Sequence, residues 1–150
     1  MRFIPTVQKA TPLHLKQVLQ KKSLLKRLLQ KQLIEIIFIH GSLAKDQLKP
    51  LSDVDVAILF KENASSYENL HQAYDTLCKF FKREDIDIGV LNHASPLFAM
   101  QVLKNGIPLY CRKETYLKRF RLQAIQRYLA TKHLRRMFND YVEQSVLRRT

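Results

Sequence analysis

The chain has 150 residues, 46% hydrophobic and 26% charged, which predicts one domain with a real core and little left for a second. No apolar run approaches the ~18 residues that span a bilayer, and Met1-Arg2-Phe3-Ile4-Pro5 lacks the apolar core of a signal peptide. Cys78 and Cys111 are too few for a disulfide framework and have no metal-ligand spacing, so the expectation is a cytoplasmic protein, not membrane-bound, with ordinary thiols.

The formal net charge of +13 is unevenly spread. Residues 1–34 carry eight Lys/Arg and no acid, and residues 112–150 carry eleven against three acids. The middle, 35–111, has seven bases and ten acids. Such ends attract nucleic acid, nucleotide polyphosphate or an acidic protein. Two solvated helix faces are the plainer alternative.

Thr11-Pro12 is a helix start, with Thr as N-cap and Pro where its missing N–H costs nothing. Leu15, Val18, Leu25, Leu29 and Leu33 continue a helical pattern over 13–33. Leu24 and Leu28 fall off that stripe, so the helix either breaks near Ser23 or offers a second apolar strip to another subunit. Leu33 to Ile39 is a buried strand by length and β-branched content. Gly41 ends it, Ser42 to about Gln47 begins a short helix, Lys49-Pro50-Leu51-Ser52 turns, and Asp53 to Phe60 is the second strand. Tyr67 to Lys82 is an amphipathic helix, Asp85 to Leu91 a third strand, and Ser95-Pro96 caps a helix running to about Lys104. Asn105-Gly106 stops it and Ile107 to Cys111 is a fourth strand. Thr115 to about Leu147 is helical, with Phe120, Tyr128, Met137, Phe138 and Tyr141 as packing residues. The fold class is thus α/β (α+β): a small mixed sheet of about four strands flanked by helices, ending in a long helical segment.

The chemistry concentrates between Gly41 and Asp55. Asp53 and Asp55, two apart on a strand, project to one face and repel each other unless a positive charge lies between them. Oxygen ligands at this spacing suit Mg²⁺, held by one or two carboxylates plus substrate phosphates. Gly41 lets the backbone approach an anion, and Ser42 offers a hydroxyl and an N–H at a helix start. Asp87, on the next strand, closes a set of carboxylates able to hold two metals roughly 3.5–4 Å apart. Asp85 competes with it but lies at a strand end.

Gly41-Ser42, ten residues, then Asp53-Val54-Asp55 resembles the signature of minimal nucleotidyltransferases (MNT, the MntA-like branch of the DNA polymerase beta superfamily). Ile86-Asp87-Ile88-Gly89-Val90-Leu91-Asn92-His93-Ala94-Ser95-Pro96 and Asn105-Gly106-Ile107-Pro108-Leu109-Tyr110 also resemble that branch, over about residues 24–140 in all. The resemblance implies a polymerase-beta-like core spanning 1–150 as one domain, with a helical extension at 1–23 and a basic helical segment at 112–150. It implies that Asp53, Asp55 and Asp87 are catalytic and bind Mg²⁺. Gly41 and Ser42 would hold the β- and γ-phosphates of ATP, and Lys45 would keep a positive charge for phosphate. His40 stands where the family usually has an aromatic residue, either as strand-end packing or as a phosphate contact. Ala44-Lys45-Asp46 stands where Ala-Arg-Gly is common.

The same resemblance implies a partner: antitoxins of this branch transfer AMP to a tyrosine of a HEPN-type ribonuclease toxin. The basic C-terminal helix and the Leu24/Leu28 strip are candidate docking surfaces, or simply packing, and a homo- or hetero-oligomer is possible. Two other classes remain: a non-catalytic antitoxin or nucleic-acid-binding module acting by occlusion, and a small-molecule nucleotidyltransferase.

Overall fold

Each β-branched run becomes a strand of one mixed sheet, and each amphipathic run a helix laid on it. The computed structural model describes residues 13–149. The elements are α1 (Leu15–Gln20), α2 (Lys22–Leu28), β1 (Ile34–His40), α3 (Gly41–Ala44), β2 (Val54–Phe60), α4 (Tyr67–Phe81), β3 (Ile86–Val90), α5 (Pro96–Asn105), β4 (Ile107–Cys111) and α6 (Glu114–Leu147). The strand order is β3-β2-β1-β4. β1 runs antiparallel to β2 and to β4, whereas β2 and β3 are parallel. Parallel neighbours need a crossover, and α4 provides it.

Strand alternation sends side chains into two cores. Ile37, Ile39, Val54, Val56 and Ile58 meet Val18 of α1, Leu25 of α2, Leu29 at its C-cap and Leu77 of α4. On the other face Ile36, Phe38 and Ala57 meet Ala99 and Val102 of α5 and Phe120 and Ala124 of α6. Ser66 and Ser95 cap α4 and α5, accepting from the Asn69 and Phe98 N–H groups at 3.2 Å each. α6 is fastened by the Phe38–Phe120 ring contact, centroids 5.7 Å apart, and by Arg119 donating at 3.3 Å to both oxygens of the buried Glu35.

Several expectations need correcting. Of the two alternatives for 13–33 the helix takes the break, at Lys21, two residues before Ser23. Val18, Leu25 and Leu29, which share one stripe, reach the core, while Leu24 and Leu28 off that stripe are 42% and 40% exposed. Thr11-Pro12 lies outside the described residues, and the observed N-cap is His14. The helix after Gly41 is one turn, ending at Ala44 rather than Gln47. In α6, Phe120 is buried and Tyr128 half-buried under the Arg135 guanidinium, 3.9 Å from the ring centroid. Met137, Phe138 and Tyr141 are not packing residues: they are 55%, 65% and 69% exposed. A 34-residue helix is about 51 Å long, whereas four strands about 4.8 Å apart span far less, so the far half of α6 has no sheet beneath it. Among the described residues no helix is long and apolar enough to cross a membrane.

Candidate active site

Register decides which polar residues meet. His40 of β1 pairs with Asp55 of β2, and Asp55 pairs with Asp87 of β3. Paired residues share a face, so one row across three strands reads His40–Asp55–Asp87. The next row is Phe38–Ala57–Gly89, and it belongs to the core under α5 and α6. The polar row lies beyond the apolar cover. Asp53 precedes β2 by one residue and is exposed, Asp55 is half-buried and Asp87 exposed. The carboxylates therefore sit on an open edge. Two grooves among the described residues, about 260 Å³ between α2 and β4 and about 220 Å³ beside α4 and β3, are lined by other residues.

Electrostatics give this row its character. Burial pushes the Asp55 carboxyl above the ordinary 3.8, the neighbouring charge of His40 pulls it back, and Asp87 and Asp53 push it up again. With two further acids acting on Asp55 and a single imidazole beside it, the donor set is short of positive charge. Among the described residues no three His, Cys, Asp or Glu side chains already cage an ion. An open set of hard oxygens suits a cation that takes its remaining ligands from phosphates.

The turn that should carry phosphate is built around a backbone constraint. Gly41 has φ +66°, the left-handed region that side chains disfavour. A Cβ there would lie 3.0 Å from the Asp55 Cγ and still closer to Oδ2. Gly41 is thus required by both its dihedral and the approach of Asp55. The turn closes through the Ser42 carbonyl, which accepts from the Lys45 N–H at 3.2 Å and the Gln47 N–H at 2.8 Å. Because α3 is a single turn, its dipole adds little, and any phosphate cradle rests on the N–H groups and hydroxyl of this turn. Lys45 is exposed at the C-cap of α3.

Asp46 is engaged with the start of α1. It has φ 52°, which accounts for glycine being usual there, and its Oδ1 accepts from the Leu15 N–H at 3.0 Å, with His14 Nδ1 at 3.9 Å. The carboxylate caps α1 and ties the phosphate turn to the N-terminal helix. His40 fulfils the packing reading, set edge-on to Phe98 with centroids 5.7 Å apart. Gly89 leaves room for that Phe98 ring, since a Cβ at Gly89 would lie 3.0 Å from its Cε1.

Two residues of the site were not foreseen. Phe98 floors His40 and Gly89, and only the three-dimensional row reveals it. Arg83 forms a bidentate pair with Asp85 and holds the Asp85 carboxyl below the ordinary range, which removes Asp85 as the third site carboxylate. A lone Arg followed by Glu84-Asp85 at a helix end was the available signal.

Residues 11–115 match the family described as polymerase beta, nucleotidyltransferase, and that stretch contains the turn and all three aspartates. This protein belongs to the polymerase beta nucleotidyltransferase family. Solved structures share its fold. A chain from a variant MntA–HpeT toxin–antitoxin complex aligns with TM-score 0.67 and 19% identity, covering 81% of this chain and 98% of that one. A chain from a toxin–antitoxin complex with AMP-PNP gives 0.63 and 22%, covering 81% and 98%. One from a tri-AMPylated Shewanella oneidensis HEPN toxin bound to its MNT antitoxin gives 0.63 and 20%, covering 84% and 98%. No curated protein matches the sequence.

Proposed function

We propose that this chain transfers AMP from ATP to a tyrosine hydroxyl of a HEPN-type toxin, and so acts as the antitoxin of the pair. The observation carrying the catalytic part is the His40–Asp55–Asp87 row beside the Gly41-Ser42 turn. The partner is suggested by structural relatives described as MNT antitoxins in complex with HEPN toxins, one of them tri-AMPylated. AMP-PNP in a related complex supports an adenosine triphosphate as donor.

In this reading the N–H groups of the turn and the Ser42 hydroxyl hold the β- and γ-phosphates, and Lys45 adds charge from its rim. Asp53, Asp55 and Asp87 would hold Mg²⁺, which would supply positive charge to offset the negative charge developing in the transfer. Asp87 takes the proton of the tyrosine hydroxyl as its oxygen bonds to the α-phosphorus. The bond from that phosphorus to the bridging oxygen breaks, and pyrophosphate leaves. An open shelf admits a side chain carried on a protein surface. The exposed stripe of α6 and the Leu24/Leu28 strip are the surfaces available to bring that protein in. AMP on a nuclease would block RNA by bulk and repulsion.

The test is incubation with α-³²P-labelled ATP, Mg²⁺ and the product of the adjacent gene. Label should pass to that protein, survive denaturation and vanish with Asp53→Ala or Asp55→Ala. Equal neutralisation of the toxin by those variants would leave only occlusion, and label found on a metabolite would identify a small-molecule transferase.

A further inference from the structure

Arg83 is the most fully buried cation of the described residues, with its side chain 1% exposed, and nothing in the reaction above employs it. It lies just past the C-terminus of α4, where Lys82 turns the chain through a left-handed φ of 55° and the Arg83 N–H returns to the Cys78 carbonyl at 3.2 Å. Its side chain then reaches two segments at once. Nε donates to Asp85 Oδ1 at 2.7 Å and Nη2 to Asp85 Oδ2, while Nη2 also donates to the Ser52 carbonyl at 2.9 Å.

Those anchor points flank the site. Ser52 immediately precedes Asp53, and Asp85 is two residues before Asp87. Between them the Val54 N–H donates to the Asp85 carbonyl at 2.9 Å, the bond that opens the parallel ladder in which Asp55 faces Asp87. Only a planar guanidinium spans a carboxylate and a carbonyl in this way. The remaining Nη1 is buried without a hydrogen-bond partner, and the charge of Asp53 acts on the same guanidinium. A buried, partly unsatisfied cation is costly to keep for stability alone.

We infer that Arg83 is a positioning residue for the three-carboxylate site, clamping the Asp53-bearing segment to the Asp87-bearing segment. This rests on the proposed reading of those aspartates as cation ligands. Groups that orient ligands typically change metal affinity or activity by about 10–100-fold when removed. Arg83→Lys keeps the charge but cannot form the fork, Arg83→Met keeps much of the volume, and Asp85→Asn weakens the clamp from its other end.

The experiment measures Mn²⁺ binding by electron paramagnetic resonance, and the cation dependence of nucleotide transfer, at a temperature where circular dichroism shows each variant folded. Expected is Mn²⁺ binding weakened at least about tenfold in Arg83→Lys, with less loss in Asp85→Asn and KM for ATP at saturating cation little changed. If Arg83→Lys and Asp85→Asn lower only Tm and bind Mn²⁺ as the wild type does, the residue is merely structural and the inference is overturned. Arg83→Met failing to fold would not rescue it, because the other two variants decide. Wild-type protein that binds no Mn²⁺ would overturn the cation site itself, and the clamp with it.

Discussion

Replacing Gly41 with alanine tests the junction between the phosphate turn and the carboxylates. Two costs are separable. At φ +66° an alanine carries left-handed strain of about 1–2 kcal/mol, and at about 2–4 °C per kcal/mol for a chain of this size that lowers Tm by about 2–8 °C. The second cost is contact: a Cβ 3.0 Å from the Asp55 Cγ must recede to the 3.5–4.0 Å of ordinary carbon contact, roughly 0.5–1 Å. Asp55 is the mobile partner, being half-buried, and a ligand misplaced by ~1 Å costs on the order of 100-fold in rate. The assays are thermal melts and labelled-nucleotide transfer, each on Gly41→Ala and on Gly41→Ala combined with Asp55→Ala. In the double variant the Asp55 carboxylate is gone, so the melting penalty should shrink toward the strain component. Transfer within twofold of wild type by folded Gly41→Ala, or a melting penalty unaltered by removing Asp55, would refute the close-approach argument.

Asp55→Asn should stabilise the protein at neutral pH while abolishing transfer. The folded carboxyl is raised, chiefly by burial and then by Asp87 and Asp53 against the opposing His40. Its contribution is therefore fully present below 3.8 and is lost as pH rises through the folded value. The Tm advantage of the Asn variant should accordingly grow from pH 4 to pH 7, and a flat difference would show that the site does not strain the fold. Changing Met137, Phe138 and Tyr141 to serine should alter stability by no more than about 0.5 kcal/mol each, as for exposed positions generally. The same triple variant should lose the toxin complex in size-exclusion chromatography; a large drop in Tm would mean that the stripe packs within the domain.

The four strands and the helices between them were legible because β-branched runs, Ser caps and Asn105-Gly106 are local signals, and the boundaries of β4 agree to the residue. The break at Lys21 was legible only as one of two alternatives, placed near Ser23, since no Gly or Pro marks it and Leu24 and Leu28 off the main stripe also fit a second apolar strip. The far half of α6 misled for a different reason. Apolar spacing tells which face would pack, but only the extent of the sheet tells whether anything is there to receive it. By sequence alone Asp46 is one more acid beside the Gly41-Ser42 turn. Its left-handed backbone aims the carboxylate at the Leu15 N–H instead, an interaction across 31 residues that no window of sequence contains.

The site also depends on register more than on its residues taken singly. On β2, Val54, Val56 and Ile58 enter one core while Ala57 enters the other, so both faces of the strand are apolar except where Asp55 emerges. A slip of one residue between β2 and β3 would swap faces, burying Asp87 against the α4 side and parting it from Asp55. The parallel ladder is therefore fixed by hydrophobic burial along Val54–Ile58, and the acids at its open end ride on that alignment. Mutual repulsion among the carboxylates opposes it only locally, where the edge meets solvent. This division explains how a chain can keep three acids near one another without a preformed cage: the core sets their positions, and in the proposed reading a cation would supply the positive charge they lack.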